Sequence, residues 1–183
     1  MLLRSALTPL RIRLSCYSSS TVSTAVSATC LRDIARSGAR VVKLQLSKSS
    51  DLVCRQLMCE HVGDACACRL ALTLERVPRL QRLDLSNNQL RDLPDAVYAL
   101  QSLETLDLQQ NRLTSLPTDV HKLTQLETLD IRHNKLETLP VQQLETLTKL
   151  QTLRVAGNTE LIQSLKDGQL SMSDELKKKI ELD

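Results

Sequence analysis

Four cysteines and a histidine crowd into fifteen residues, "CRQLMCEHVGDACAC", from Cys54 to Cys68. Thiolates and an imidazole this close together are what a zinc ion takes as ligands. A metal site would draw on Cys54, Cys59, His61, Cys66 and Cys68. The spacing C-x4-C-x-H-x4-C-x-C is not that of the usual zinc knuckles and ribbons. Paired disulfides are a second reading, suited to an oxidising compartment. A surface loop with free thiols is the third. All three stay open, and the working expectation is a chain with no bound metal and no cofactor.

The other candidates for chemistry are His121 and His133, twelve residues apart. A Ser/His/Asp or Cys/His nucleophile needs its parts within hydrogen-bond reach on rigid elements. Neither histidine has such neighbours in the pattern, and both read as surface residues. With four glycines in the chain there is no Gly-rich phosphate loop. No catalytic residue is expected and the chain reads as a non-enzyme.

The elements around these residues are built from few residue types. The 183 residues are 42% hydrophobic, yet there is no Phe or Trp and only two Tyr, Tyr17 and Tyr98. A core of near-identical aliphatic side chains favours repetitive packing. The net charge of +3 comes from the first stretch, where Arg4, Arg11 and Arg13 precede the first acid, Asp33. From residue 32 onward 21 basic residues face 21 acidic ones. That balance, and the lack of aromatic stacking platforms, argues against nucleic-acid binding.

Residues 1–28 read as a transit peptide or disordered leader. Up to residue 31 there is no Asp, Glu or Lys; there are three Arg and the Ser/Thr-rich run "SCYSSSTVSTAVSATC". Leu3, Leu7, Leu10 and Leu14 would share one helix face. Arg-rich, Ser-rich and acid-free is the pattern of organelle import, with mitochondria (the matrix) first. The arginines interrupt the apolar run of roughly 7–15 residues that a secretory signal needs. No apolar stretch of about 20 residues is present for a membrane span.

From Leu80 the chain repeats. "LQRLDLSNNQLRDLP", "LETLDLQQNRLTSLP", "LETLDIRHNKLETLP" and "LQTLRVAGNTEL" begin at Leu80, Leu103, Leu126 and Leu150, with periods of 23, 23 and 24 residues. Each opens L-x-x-L-x-(L/I/V)-x-x-N, which resembles the leucine-rich repeat family. The L-P endings (Leu93-Pro94, Leu116-Pro117, Leu139-Pro140) resemble the typical class of intracellular Ras-group and scribble-like proteins. The resemblance implies a curved α/β solenoid with a parallel sheet on its concave side, and a role in protein–protein binding.

The residues agree with it. Leu83/Leu85, Leu106/Leu108, Leu129/Ile131 and Leu153/Val155 alternate as short strands with one buried face. Asn88, Asn111, Asn134 and Asn158 carry both donor and acceptor, as a structural ladder satisfying backbone groups at the turn requires. Val97/Leu100, Val120/Leu123 and Leu144/Leu147 supply the opposite wall.

Both ends have candidate caps. Residues 29–53 hold a short helix ending at Gly38 and a degenerate first strand, "VVKLQL"; residues 162–183 hold a cap helix in "SDELKKKI", with Ser173 as N-cap. Leu70, Leu74 and Val77 match Leu93, Val97 and Leu100 in register, so residues 54–68 interrupt the first coil as an insertion. The repeats then occupy 69–161, and the expected fold is a solenoid of about five coils. Disulfide caps of extracellular relatives are a poorer match, since no C-terminal cysteine cluster follows.

The exposed strand positions form columns. Asp84, Asp107, Asp130 and Arg154 follow Gln45; Arg82, Thr105, Thr128 and Thr152 follow Lys43; Ser86, Gln109, Arg132 and Ala156 follow Ser47. Strands ~4.8 Å apart put the three aspartates in mutual repulsion, which a basic partner would relieve. The expected binding face comprises Arg82, Asp84, Ser86, Thr105, Asp107, Gln109, Thr128, Asp130, Arg132 and Arg154. The expectation is a monomeric mitochondrial scaffold or assembly factor that takes a protein partner with a basic surface. A cytosolic Ras-group-like adaptor and a metal- or redox-sensing domain built on Cys54–Cys68 are the alternatives.

Overall fold

The computed structural model describes residues 26–53, 68–168 and 170–182. The Cys54–Cys68 insertion, its last residue's backbone apart, and the leader up to residue 25 lie outside them.

Seven strands form one all-parallel sheet in chain order: β1 (Val26–Ala28), β2 (Val41–Gln45), β3 (Arg82–Asp84), β4 (Thr105–Asp107), β5 (Thr128–Asp130), β6 (Thr152–Arg154) and β7 (Ile180–Glu181). Each L-x-L unit contributes one three-residue strand because only its alternating leucines have a buried face to fill. Leu83, Leu106, Leu129 and Leu153 stand in register, and each is at most 1% exposed. Leu85, Leu108, Ile131 and Val155 form a second, fully buried row behind them.

The return limbs are short. Helix α2 (Cys68–Leu74), 3-10 turns at Asp95–Val97 and Thr118–Lys122, and α3 (Val141–Glu145) line the side opposite the sheet. Val97, Leu100, Val120, Leu123, Leu144 and Leu147 point from this wall into the same core. Leu70, Leu74 and Val77 do the same for the coil ahead of them. Leucine dominates a single continuous core, and no coil could bury its apolar face without its neighbours. Tyr98 is buried in the wall, its hydroxyl without a hydrogen-bond partner among the described residues. Burial, with Asp119 and Asp95 nearby, pushes its titration well above the usual tyrosine range.

At the front, α1 (Leu31–Ser37) ends at Gly38, whose φ of 49° is in the left-handed region. At the back, α4 (Thr159–Lys166) and α5 (Asp174–Lys179) close the stack. The Ser173 hydroxyl accepts from the Leu176 N–H at 3.3 Å, with Asp174 and Glu175 in the first turn and three lysines in the last. The Ser173 N–H donates to Glu145 Oε1 at 2.7 Å, tying this cap to α3.

The sheet is two strands longer than the five coils expected from the repeat. Val26–Ala28 pairs with β2 although it lies inside the segment read as leader, and Ile180–Glu181 pairs with β6 beyond the cap helix. Both cover sheet edges whose backbone groups would otherwise be unpaired.

Candidate functional site

At the same position in each coil the chain turns off the sheet in the left-handed region, at Lys48, Asn87, Gln110 and His133, with φ between 51° and 58°, and at Gly157 at 75°; Gln89, two residues past Asn87, is left-handed as well, at 59°. The residue after each of the five aligned positions is a rung of a ladder. Asn111 is the fullest: its Nδ2 donates to the Leu85, Leu108 and Gln109 carbonyls, and its Oδ1 accepts from the Leu90 and Asn88 N–H groups. Asn88 and Asn134 likewise donate to three carbonyls each, and Asn158 to those of Ile131 and Val155. In the first coil Ser49 takes the Asn position, and its N–H donates to Asn88 Oδ1 at 2.8 Å. These side chains are spent on backbone groups of two successive coils, which leaves them structural.

His133 is exposed, and its ring lies over Gly157, where a Cβ would run into it. His121 Nδ1 lies 2.7 Å from the Thr118 carbonyl oxygen on the return side. The two histidines do not meet. No group of three or more His, Cys, Asp or Glu that could hold a metal occurs among the described residues.

The sheet face holds the columns. Gln45, Asp84, Asp107, Asp130, Arg154 and Glu181 pair in sequence across β2 to β7. Each aspartate accepts the N–H two residues ahead: Ser86 onto Asp84 at 3.0 Å, Gln109 onto Asp107 at 3.0 Å, and Arg132 onto Asp130 at 3.2 Å. Beyond this shared bond the three part company.

Asp130 is enclosed. Arg132 reaches back to it in a fork, Nη2 at 2.7 Å and Nε at 3.0 and 3.1 Å, and Arg154 Nη1 stands 3.8 Å away. Arg154 Nε in turn binds Glu181 at 2.7 Å. Asp130 is 4% exposed, so this carboxylate is removed from the open face where it was expected. Ser86, expected there too, is also buried, its hydroxyl donating to that of Ser47 at 2.8 Å.

Asp107 receives only the neutral Gln109 amide, Nε2 to Oδ2 at 3.2 Å. Desolvation raises its pKa, helped by the charges of Asp130 and Asp84 and opposed by the Gln109 N–H. Neither Asp84 nor Asp107 has an ion-pair partner among the described residues. Arg82 is exposed beside them, while Thr105, Thr128, Thr152, Gln109 and Arg132 are half-buried. The sequence gives Arg132 a signal: it sits two residues after Asp130 on the same strand face. Nothing in the L-x-L pattern marked Glu181, which arrives on an added strand.

A family model described as "leucine-rich repeat region" matches residues 31–180. Among solved structures, the chain is similar to a leucine-rich repeat protein of Leptospira interrogans, with 33% identity and a TM-score of 0.52. That match covers 61% of this chain and 27% of the Leptospira chain. Comparison with curated proteins finds no match. The chain belongs to the leucine-rich repeat family.

Proposed function

We propose that this protein is a non-enzymatic scaffold or assembly factor that captures a protein partner with a basic surface on the open part of its sheet face. The observation that carries this is the contrast among three aligned aspartates. Asp130 has its guanidinium supplied in cis, whereas Asp84 and Asp107 hold the same backbone-bonded posture with no ion-paired cation among the described residues, Arg132 acting on Asp107 only from a distance. An arginine or lysine from outside would complete at these two positions what Arg132 completes at Asp130. Arg82, Thr105 and Gln109 border that opening.

The Arg-rich, acid-free leader supports action in the mitochondrial matrix. Residues 1–35 fused to a fluorescent protein test this, and a diffuse cytosolic signal would overturn it. No helix among the described residues is long and apolar enough to cross a membrane. For the binding face, the variant Asp84→Lys with Asp107→Lys is compared with wild type by affinity purification and quantitative mass spectrometry. The leading captured protein should be lost. A folded variant that retains it would remove the acidic pair from the interface.

A further inference from the structure

Beyond the ladder, away from the acidic pair, a second polar surface lies along the limbs that leave the sheet. The Arg112 N–H donates to the Leu90 carbonyl at 2.8 Å, and the Lys135 N–H to the Leu113 carbonyl at 2.9 Å. These bonds clamp three successive limbs side by side, so Arg91, Arg112 and Lys135, one from each coil, line a single groove with Thr114 and Asp92. All three cations are exposed. None forms an ion pair among the described residues, unlike Lys122, Arg132, Arg154 and Lys177, which each have a carboxylate.

We propose that this groove binds a phosphorylated serine or threonine side chain presented by an extended segment of a protein partner. The charge balance selects the ligand. Three cations against the one acid in the wall leave the groove with two uncompensated positive charges, and a phosphomonoester carries about −1.5 to −2 near neutral pH. A lone carboxylate would leave at least one cation unmatched. Two guanidinium forks suit phosphate oxygens pairwise, the ammonium adds a point charge, and the Thr114 hydroxyl is a further donor. The groove, about 400 Å³, is open to solvent, as a side chain on a chain laid across the coils requires. A nucleic-acid strand would need a continuing track of cations and stacking platforms. The chain has no Phe or Trp, and Glu137 takes the next position beyond Thr114.

The test is an NMR titration of the full chain with a short Gly/Ala peptide bearing a central phosphoserine, its unphosphorylated twin, and a single-stranded RNA of similar length. The phosphopeptide should shift the amides of Arg91, Arg112, Thr114 and Lys135, and bind at least about tenfold more tightly than its twin. Arg112→Gln with Lys135→Gln should abolish that preference; Asp92→Asn should strengthen it. Asp84→Lys with Asp107→Lys should leave it unchanged, which separates this site from the acidic pair. Equal binding of the two peptides, or no binding of either, overturns the proposal. A preference that survives in a folded Arg112→Gln/Lys135→Gln protein also overturns it. RNA binding more tightly through the same amides would mark a nucleic-acid surface instead.

Discussion

The two halves of the sheet face start from nearly the same sequence and end in different electrostatic states. "TLD" occupies both β4 and β5, in register, and each aspartate takes the N–H two residues ahead. What differs is the residue supplying that N–H. Gln109 gives Asp107 an amide; Arg132 gives Asp130 a charge. One position then closes into a network reaching Arg154 and Glu181, and its neighbour stays open. Gln109 joins the halves, donating to Asp107 while its Oε1 lies 3.5 Å from Arg132 Nη2. A repeat thus keeps its backbone constant while a single face position decides whether a coil's aspartate is ion-paired within the chain or left without an ion-pair partner among the described residues.

Both halves rest on one core, and the largest expected effect tests that. Leu108 is fully buried between the open and closed halves. Leu108→Asp places an unpaired charge in the stack and should cost roughly 4 kcal/mol or more. Because neighbouring coils supply each other's burial, both halves should be lost in one transition by circular dichroism. A surviving folded β5–β7 end, seen as a separate melting step, would mean that the halves are independent.

The ladder gives the next effect, and it is graded along the chain. Asn111→Ala strands three carbonyls and two N–H groups. At ~1–3 kcal/mol for each buried group left unpaired, with some rescued by water, a loss of about 2–4 kcal/mol in urea denaturation is expected. Asn158→Ala breaks three bonds, to Ile131, Val155 and Leu136, and should cost about 1 kcal/mol less. Equal losses would show that the ladder's rungs do not depend on how many coils they serve.

Much of this was legible in the sequence, for a physical reason. The period of 23–24 residues fixes which leucines face the core, and the strand columns follow directly from that alternation. The ladder was legible too, because an Asn at a constant offset from a buried strand has few other uses. What the pattern missed lies where repetition stops. "VSA" and "IE" carry no L-x-L signature; they become strands because β2 and β6 offer open edges. Ser86 and Asp130 occupy face positions yet are buried, Ser86 hydrogen-bonded to Ser47 and Asp130 held by the two arginines. Alternation gives the direction of a side chain but not what its neighbours do above it.

Asp130→Asn tests the closed half. It keeps the shape and the Arg132 N–H bond but removes the charge on which Arg132 and Arg154 converge. Hydrogen bonds to a charged group contribute ~1.5–3 kcal/mol. Both arginines are partly solvated, so a loss of about 1–2 kcal/mol is expected, reduced at high salt. No loss would show that Asp130 is enclosed without being stabilised, and the distinction between the halves would be one of packing alone.

Asp107→Asn is the mirror experiment and should have the smallest effect, of opposite sign. Burial and the charges of Asp130 and Asp84 raise the Asp107 pKa above its ordinary value, so the folded chain binds this proton more tightly than the unfolded chain. Ionisation of Asp107 therefore weakens the fold as pH rises through the ordinary carboxylate range up to the raised value, and the penalty persists above it. An asparagine keeps an acceptor for the Gln109 N–H and never ionises. Melting temperatures of wild type and variant, measured from acid to neutral pH, should coincide at the acid end. Toward neutrality the variant should equal or slightly exceed wild type, by a few tenths of a kcal/mol. A basic partner should reverse that order, because bound cations favour the ionised carboxylate of wild type and leave the asparagine unaffected. If the variant instead loses stability at neutral pH with no partner present, Asp107 is already compensated within the chain. The two halves would then be electrostatically alike.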